Sequence, residues 1–322
     1  MFLWMNPMSG FFERAEPVFE LYAQGNYAQA LHLVDALALE FSDQDIHTSY
    51  WRMCLLGVSG QGEQAMQVLV EAISHGLWWS AGRLREEPDL KDLQGNPVFE
   101  NLVTICSERH SLAKAQAKAE LLILEPDNAN TDPHPLLLVL HGRDGSAERE
   151  KHHWESARSL GCLIAVAQSS QVDSLDSYTW DDVTLAQKEI QQHFRKLQEK
   201  YELDTSRVVL GGFSQGSAIV ILTALKGEIP STAFLAVAPA GIANVPDLPT
   251  LADSARGRGL HGVIVAGGKD PRFQKIVQIS ETLSSHGVPC PLEIRPDLGH
   301  AYPSDFKDVL EKILSTFHKE KE

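Results

Sequence analysis

Gly212-Phe213-Ser214-Gln215-Gly216 is a serine set between two glycines, with an apolar run on either side: "RVVLGGF" leads in and "SAIVILTAL" leads out. A hydroxyl is a weak nucleophile unless a base takes its proton. It also needs backbone N–H groups nearby to receive the negative charge that an attacked carbonyl develops. A sharp strand-to-helix turn meets the second need. The serine stands at the top of the turn in a strained conformation, and glycines two residues to either side let strand and helix pass closely. The unpaired N–H groups of the new helix then face the incoming charge. On this reading Ser214 is the candidate nucleophile, Gly212 and Gly216 are the elbow glycines, and the Gln215 backbone N–H is a natural oxyanion donor. The bare pattern also fits an ordinary βα turn, so its company has to decide.

The company is a base, a group to orient it and a second oxyanion donor. "EIRPDLGHAYP" places His300 in a loop after the last strand-like run, and "VIVAGGKD" ends at Asp270 just past another. An earlier apolar run ends in His141-Gly142, which makes the Arg143 backbone N–H the candidate second donor. The chain order is Ser, Asp, His, and all of these features fall at the C-terminal ends of strand-like runs, where ligand sites of parallel sheets lie. The other histidines are worse placed: His152 and His153 read as part of an exposed charged helix, His193 as part of a polar helix, and His261 as preceding a strand. Asp297 reads as a turn cap and Asp144 as a brace for the loop after His141. Trp180, at a loop-to-helix boundary, reads either as lining an acyl pocket or as a core anchor, with the core slightly favoured.

The elements needed to position these groups are visible from about Ala117 onward. "AELLILEP", "PLLLVLHG", "CLIAVAQ", "RVVLGGF", "AFLAVAPAG", "HGVIVAGGKD" and "PLEIRPD" are short apolar runs bounded by Gly, Pro, Asp or Ser. Continuous apolar runs suit strands buried on both faces of a parallel sheet. Helical segments lie between them, clearest in "DDVTLAQKEIQQHFRKLQEKY", with Val183, Ile190, Phe194, Leu197 and Tyr201 on one stripe and Asp181 as the expected cap. Strands alternating with helices predict an α/β domain, a mostly parallel sheet with helices on both faces, over residues 116–322.

Residues 1–115 read differently, as a small all-α domain. "YAQALHLVDALALEF" puts Ala30, Val34, Leu37 and Phe41 on one face, and "EQAMQVLVEAI" repeats this with Ala65, Leu69, Ala72 and Ile73. Gly25 precedes Ala30 by as much as Gly60 precedes Ala65, an internal offset of about 35 residues that suits a helix–turn–helix repeat. "AQGNYAQAL" resembles the turn and second-helix start of tetratricopeptide repeats, and "NPVFENLVTICSERHSLAKAQAK" is expected to cap the stack.

Composition sets the limits. The 322 residues carry a net charge of −15, which repels phosphate backbones and argues against nucleic acid as a partner. The basic stretch Arg109 to Lys118 reads as a solvated helix face. Cys54, Cys106, Cys162 and Cys290 are scattered, with no CxxC pair and no zinc spacing, so neither metal nor other cofactor is expected. "MFLWMNPMSG" lacks a basic stretch and Asn6-Pro7 interrupts it, so it does not read as a secretory leader. No apolar run reaches the roughly 18 residues of a membrane span. A cytoplasmic protein is expected.

The C-terminal region resembles the α/β-hydrolase superfamily, most closely its carboxylesterase/phospholipase group, which includes the acyl-protein thioesterases. The resemblance rests on "LLVLHGRDG", "LDTSRVVLGGFSQGSA", "GGKDPRF" and "DLGHAYP". It implies a serine hydrolase acting on carboxylic esters or thioesters, with Ser214 as nucleophile, His300 as base, Asp270 orienting it, and Arg143 and Gln215 forming the oxyanion hole. It also implies a small-molecule substrate and no cofactor. HGRDG departs from the pattern of many members, which have another glycine directly after HG or two residues on, as in HGxGD; here an arginine directly follows the first glycine. The alternatives are a peptidase on the same fold, or a silent hydrolase domain in a helical-repeat adaptor. The helical domain is expected to serve a protein partner or self-association. "QSSQVDSLDSYTW" and "PAGIANVPDLPTLADSARGRG" are the loops expected to rim the pocket.

Overall fold

The seven apolar runs of the C-terminal region become the strands of one seven-stranded sheet. They are β1 (Glu120–Leu124), β2 (His134–Leu140), β3 (Leu163–Gln168), β6 (Leu203–Phe213), β7 (Ala233–Val237), β8 (His261–Gly267) and β9 (Leu292–Arg295), in the order β1-β3-β2-β6-β7-β8-β9, while β4 (Gln171–Ser174) and β5 (Ser177–Thr179) pair separately. The computed structural model describes residues 7–128, 133–241 and 247–319. The leader reading on Met1–Asn6 and the Ile242–Pro246 part of the expected rim lie outside the described residues. The chain divides into two compact units: Met1–Ala117 with Val172–Ser177, and Lys118–Gln171 with Tyr178–Glu322.

In the larger unit β1 runs antiparallel to β3, and the remaining neighbours of the sheet are parallel. Side chains along β2 alternate between two cores, as a pleated strand covered on both faces requires. Leu136, Leu138 and Leu140 enter one core with α8 (Val183–Lys200), α9 (Ser214–Lys226), α10 (Leu248–Ala255) and α11 (Phe273–Ser285). Leu137 and Val139 enter the other with α7 (Ala147–Trp154) and α12 (Phe306–Lys319). This is the α/β-hydrolase layout, and each side chain proposed for chemistry stands just past a strand end.

α8 differs from its expected form in three respects. Its N-cap is Asp182, whose side chain accepts from the Leu185 N–H, so Asp181 is left for other contacts. Val183 is exposed rather than part of the buried stripe. His193, read from the sequence as part of a polar helix, is buried, and burial pushes its pKa down to about 4. Packing against the sheet asks for a wider face than the apolar residues alone supply.

The helical unit comprises α1 (Pro7–Ala23), α2 (Tyr27–Glu40), α3 (Asp45–Val58), α4 (Gly62–Ser74), α5 (Ala81–Glu86) and α6 (Pro97–Gln116). Gly25 turns α1 into α2 and Gly60 turns α3 into α4, both at φ 74°. That left-handed conformation suits glycine, which lacks the Cβ that would clash. Ala30 and Ala65 are fully buried where each second helix packs on its neighbours. The segment Val172–Ser177, from the β4–β5 hairpin (Gln171–Ser174, Ser177–Thr179), groups with this unit. The Ser80 N–H donates to the Asp173 carbonyl at 2.7 Å, and Arg83 pairs with the Asp173 carboxylate at 3.3 Å. The basic stretch after residue 108 is only partly a solvated face. Arg109 donates to the carbonyls of Ile73 and Leu77, supplying donors that a helix end lacks. Among the described residues no helix is long and apolar enough to cross a membrane.

Gly57 offers a test of packing in this unit. A Cβ there would lie 2.2 Å from the Asp89 carbonyl oxygen, a backbone atom that cannot rotate away. Gly57→Ala should lower stability by about 1–3 kcal/mol despite its better helix propensity. Urea denaturation followed by circular dichroism measures this, and an unchanged or raised midpoint would contradict the packing described.

Candidate functional site

Three close approaches of backbone bring the expected residues together. A Cβ on Gly212 would lie 2.9 Å from the Gly216 carbonyl carbon, and one on Gly216 would lie 2.4 Å from the His141 oxygen and 2.5 Å from the Leu140 oxygen. Strand β6, helix α9 and the end of β2 therefore meet only because both positions are glycine. Gly211 has a separate reason: a Cβ there would strike the Trp154 ring at 2.7 Å. The third approach is at Gly267, where a Cβ would lie 2.2 Å from the carbonyl oxygens of Leu298 and Gly299. The Lys269 N–H donates to the Leu298 carbonyl at 2.9 Å, which joins the loop carrying Asp270 to the loop carrying His300.

Ser214 opens α9 at φ 50°, in the left-handed region that a side chain rarely adopts. Such backbone costs on the order of 1–3 kcal/mol and persists only where surroundings over-determine it. Those surroundings are visible. The Ser217 hydroxyl lies 2.5 Å from the Gly212 carbonyl oxygen and 2.9 Å from that of Val237, its single proton shared between them, and the Ala240 N–H donates to the Ser214 carbonyl at 3.0 Å.

The Ser214 Oγ lies 2.8 Å from His300 Nε2, and Asp270 Oδ2 lies 2.6 Å from His300 Nδ1. An ionised carboxylate can only accept, so Nδ1 carries the proton and Nε2 is left to accept from the serine hydroxyl. The Asp270 side chain is fully buried, which by itself would raise its pKa. Hydrogen bonds from His300 and from the Arg272 N–H (2.8 Å), with the attraction of both side chains, outweigh burial and hold it below the usual carboxylate range. Asp297 is exposed and pairs with Lys269 at 3.6 Å.

Gly142 rests against Ser214, its Cβ position 3.3 Å from the Ser214 Cβ, so Arg143 follows directly beside the elbow. The turn is braced by a residue whose side chain went unassigned in the sequence, His141. It is fully buried, and burial pushes its pKa down to about 4. Neutral imidazole then donates from Nδ1 to the Gly142 carbonyl at 2.7 Å and accepts at Nε2 from the Ser169 N–H at 3.3 Å. Trp180 is 1% exposed, so the indole sits in the core rather than on an open pocket wall; its Nε1 donates to the His141 carbonyl at 2.8 Å. His152 and His153 are half-buried rather than exposed, and the His153 ring stacks on Tyr302 at 3.8 Å.

A second buried carboxylate lies under the site and gave no sequence signal, because it stands in a charged helix. Glu150 Oε1 accepts from Trp154 Nε1 at 3.0 Å and from the Tyr302 hydroxyl. Tyr302 stacks on Phe213 at 4.7 Å, and Phe213 lies 5.3 Å from the His300 ring, centroid to centroid. Among the described residues, one His/Cys/Asp/Glu group has ligand atoms close enough for a metal ion: Cys54, Glu87 and Asp89 in the helical unit. Tyr50 and Tyr22 hydroxyls already donate to its two carboxylates.

Glu150 yields a prediction with a definite sign. Burial raises its pKa from 4.5 to about 7, and the Tyr302 and Trp154 hydrogen bonds only partly counter this. Between those two values the folded chain keeps a proton that the unfolded chain has released, so stability falls as pH rises through the window. Asp270 has the opposite sign: its contribution is present above the ordinary carboxylate range and lost as pH falls. Glu150→Gln should flatten the decline between about pH 5 and 7 by on the order of 3 kcal/mol. Denaturation midpoints of both proteins across that range measure it. Parallel curves would contradict the buried, proton-holding carboxyl.

Residues 15–114 match the family described as "A/B hydrolase-like, N-terminal domain". No curated protein sequence matches the chain significantly. Among solved structures, an uncharacterized protein from Bacillus cereus superposes with a TM-score of 0.55 at 24% identity, over 96% of this chain and 99% of its own. Esterase PE8 superposes with a TM-score of 0.54 at 17% identity, over 62% of this chain and 99% of its own. Est1E from Butyrivibrio proteoclasticus, with ferulic acid bound, gives 0.50 at 17% identity, over 64% and 96%. At these identities the likeness is one of fold: the α/β-hydrolase fold, preceded here by an all-helical region.

Proposed function

We propose that this chain is a serine hydrolase that cleaves small carboxylic esters or thioesters through an acyl-enzyme on Ser214. The observation that carries this reading is the pair of short contacts from Ser214 Oγ to His300 and from His300 to Asp270, with the serine held at a left-handed elbow. The esterases among the fold neighbours are consistent with it.

In the first step Ser214 Oγ attacks the carbonyl carbon while its proton passes to His300 Nε2. Asp270, ionised and hydrogen-bonded to Nδ1, stabilises the imidazolium that forms. The Arg143 and Gln215 backbone N–H groups receive the oxyanion, each worth about 3 kcal/mol in such sites. The tetrahedral adduct then collapses. The C–O or C–S bond breaks, and the leaving alcohol or thiol takes the proton from His300. Water repeats the sequence: its proton goes to His300, its oxygen bonds to the acyl carbon, and collapse returns the proton to Ser214 as the acid departs. Nothing in the scheme calls for a cofactor. Residues 1–115 are assigned the part of a tetratricopeptide-like domain that takes up a protein partner or a second copy of the chain, and a cytoplasmic setting suits the four unbridged, buried cysteines.

The test is hydrolysis of p-nitrophenyl esters and of acyl thioesters of graded chain length. Wild type should turn over short members of at least one series, and Ser214→Ala should lose on the order of 10⁴-fold or more in kcat. Asp270→Asn should lose a comparable factor with little change in KM, because His300 would then favour the wrong tautomer. Equal rates for wild type and Ser214→Ala would sink the reading.

A further inference from the structure

The geometry points to Asp181 as a positioning residue that ties together the side chains of Arg143 and Gln215, and thereby sets the separation of their two backbone N–H groups. This rests on the serine-hydrolase reading, in which those groups form the oxyanion hole.

One atom makes the tie. Asp181 Oδ1 accepts from the Arg143 guanidinium and, at 2.8 Å, from Gln215 Nε2. The Gln215 amide is used at both ends, since its Oε1 accepts from the Trp180 N–H at 2.9 Å. That pairing admits only one orientation of the amide: a carboxylate cannot donate and a backbone N–H cannot accept. The neighbouring Trp180 anchors the segment, its indole buried in the core and donating to the His141 carbonyl at 2.8 Å. Trp180-Asp181 therefore touches both banks of the elbow, the His141–Arg143 turn and the start of α9.

The two banks are held in different ways. Gln215 is the second residue of α9, whose hydrogen bonds fix its backbone. Arg143 lies in a turn outside any strand, closed by the Gly145 N–H donating to the Gly142 carbonyl at 3.1 Å and followed by Asp144 at φ 59°. His141 Nδ1 donates to the Gly142 carbonyl and the Arg149 guanidinium to the Asp144 carbonyl, on either side of Arg143, and Asp181 adds the tie to the Arg143 side chain itself. Both partners of the ion pair are about half exposed. Exposed pairs contribute little to folding stability. The tie should therefore be felt in the placement of Arg143 rather than in the melting temperature.

The test compares wild type with Asp181→Ala and Asp181→Asn in the full-length chain, using p-nitrophenyl acetate as substrate and phenylboronic acid as the probe of tetrahedral geometry. Asp181→Ala should lower kcat about tenfold, leave KM within about twofold, and weaken phenylboronic acid inhibition by a similar factor to kcat, since only tetrahedral species use the hole. Asp181→Asn keeps an oxygen acceptor for both side chains and should stay within about threefold of wild type. The melting temperature and the pH at which activity falls on the acid side should not move in either variant. An Asp181→Ala enzyme as fast as wild type would overturn the assignment. So would equal losses in both variants, which would mark an effect of charge rather than position, or a shifted acid limb, which would place the effect on proton transfer rather than on the oxyanion hole. Wild type with no hydrolysis and no boronate binding would instead remove the serine-hydrolase reading, and this assignment with it.

Discussion

Ser214 holds a left-handed backbone conformation, and everything around it follows from the need to keep it there. A non-glycine residue relaxes out of that region unless its neighbours forbid it. Here the neighbours are backbone: the Gly212–Gly216 approach, the Leu140 and His141 carbonyls over Gly216, and the Ser217 hydroxyl bridging two strand ends. None of these contacts tolerates even a methyl group at the glycines. The same crowding sets β2 and β6 side by side, with Leu140 opposite Gly212, so the turn after His141 ends up beside the serine.

Side chains then refine what the backbone has placed. His141 gives up its charge to burial and braces its own turn. Glu150 and Trp154 hold the Tyr302 hydroxyl, and Tyr302 packs on Phe213, next to Ser214 in sequence and next to His300 in space. The His300 loop is thus secured on one side by Asp270 and by the Gly267 approach, and on the other by an aromatic stack. Burial pushes both carboxyls toward the neutral form, and their hydrogen bonds decide the outcome. Asp270 is compensated by hydrogen bonds to its ionised form and stays charged, whereas Glu150 is under-compensated and holds its proton toward neutrality.

Much of this was legible in the sequence because it depends on local patterns. Continuous apolar runs ending in glycine marked the strands, and the elbow pattern with the places where those runs stop singled out Ser214, Asp270 and His300, which the fold brings within hydrogen-bonding distance. The offset between Gly25 and Gly60 marked two helix turns of the same kind. What the sequence did not disclose depends on tertiary packing. Asp181 and Asp182 are adjacent and alike, and only the structure assigns the cap to the second and the Arg143–Gln215 contact to the first. Glu150, His153 and His193 lie in helices whose polar composition suggests solvent, yet the sheet and the His300 loop cover them. Trp180 offered two readings from composition alone, and its burial follows from contacts with His141 that no spacing rule anticipates.

The central claim is that His300 and Asp270 activate Ser214. The most direct measurement is covalent: incubate the folded protein with a fluorophosphonate, digest it and locate the adduct by mass spectrometry. The account predicts a single stoichiometric adduct on the peptide containing Ser214, absent from Ser214→Ala and slowed in His300→Ala. An unmodified Ser214 in folded protein, or an adduct on a different serine, would contradict it.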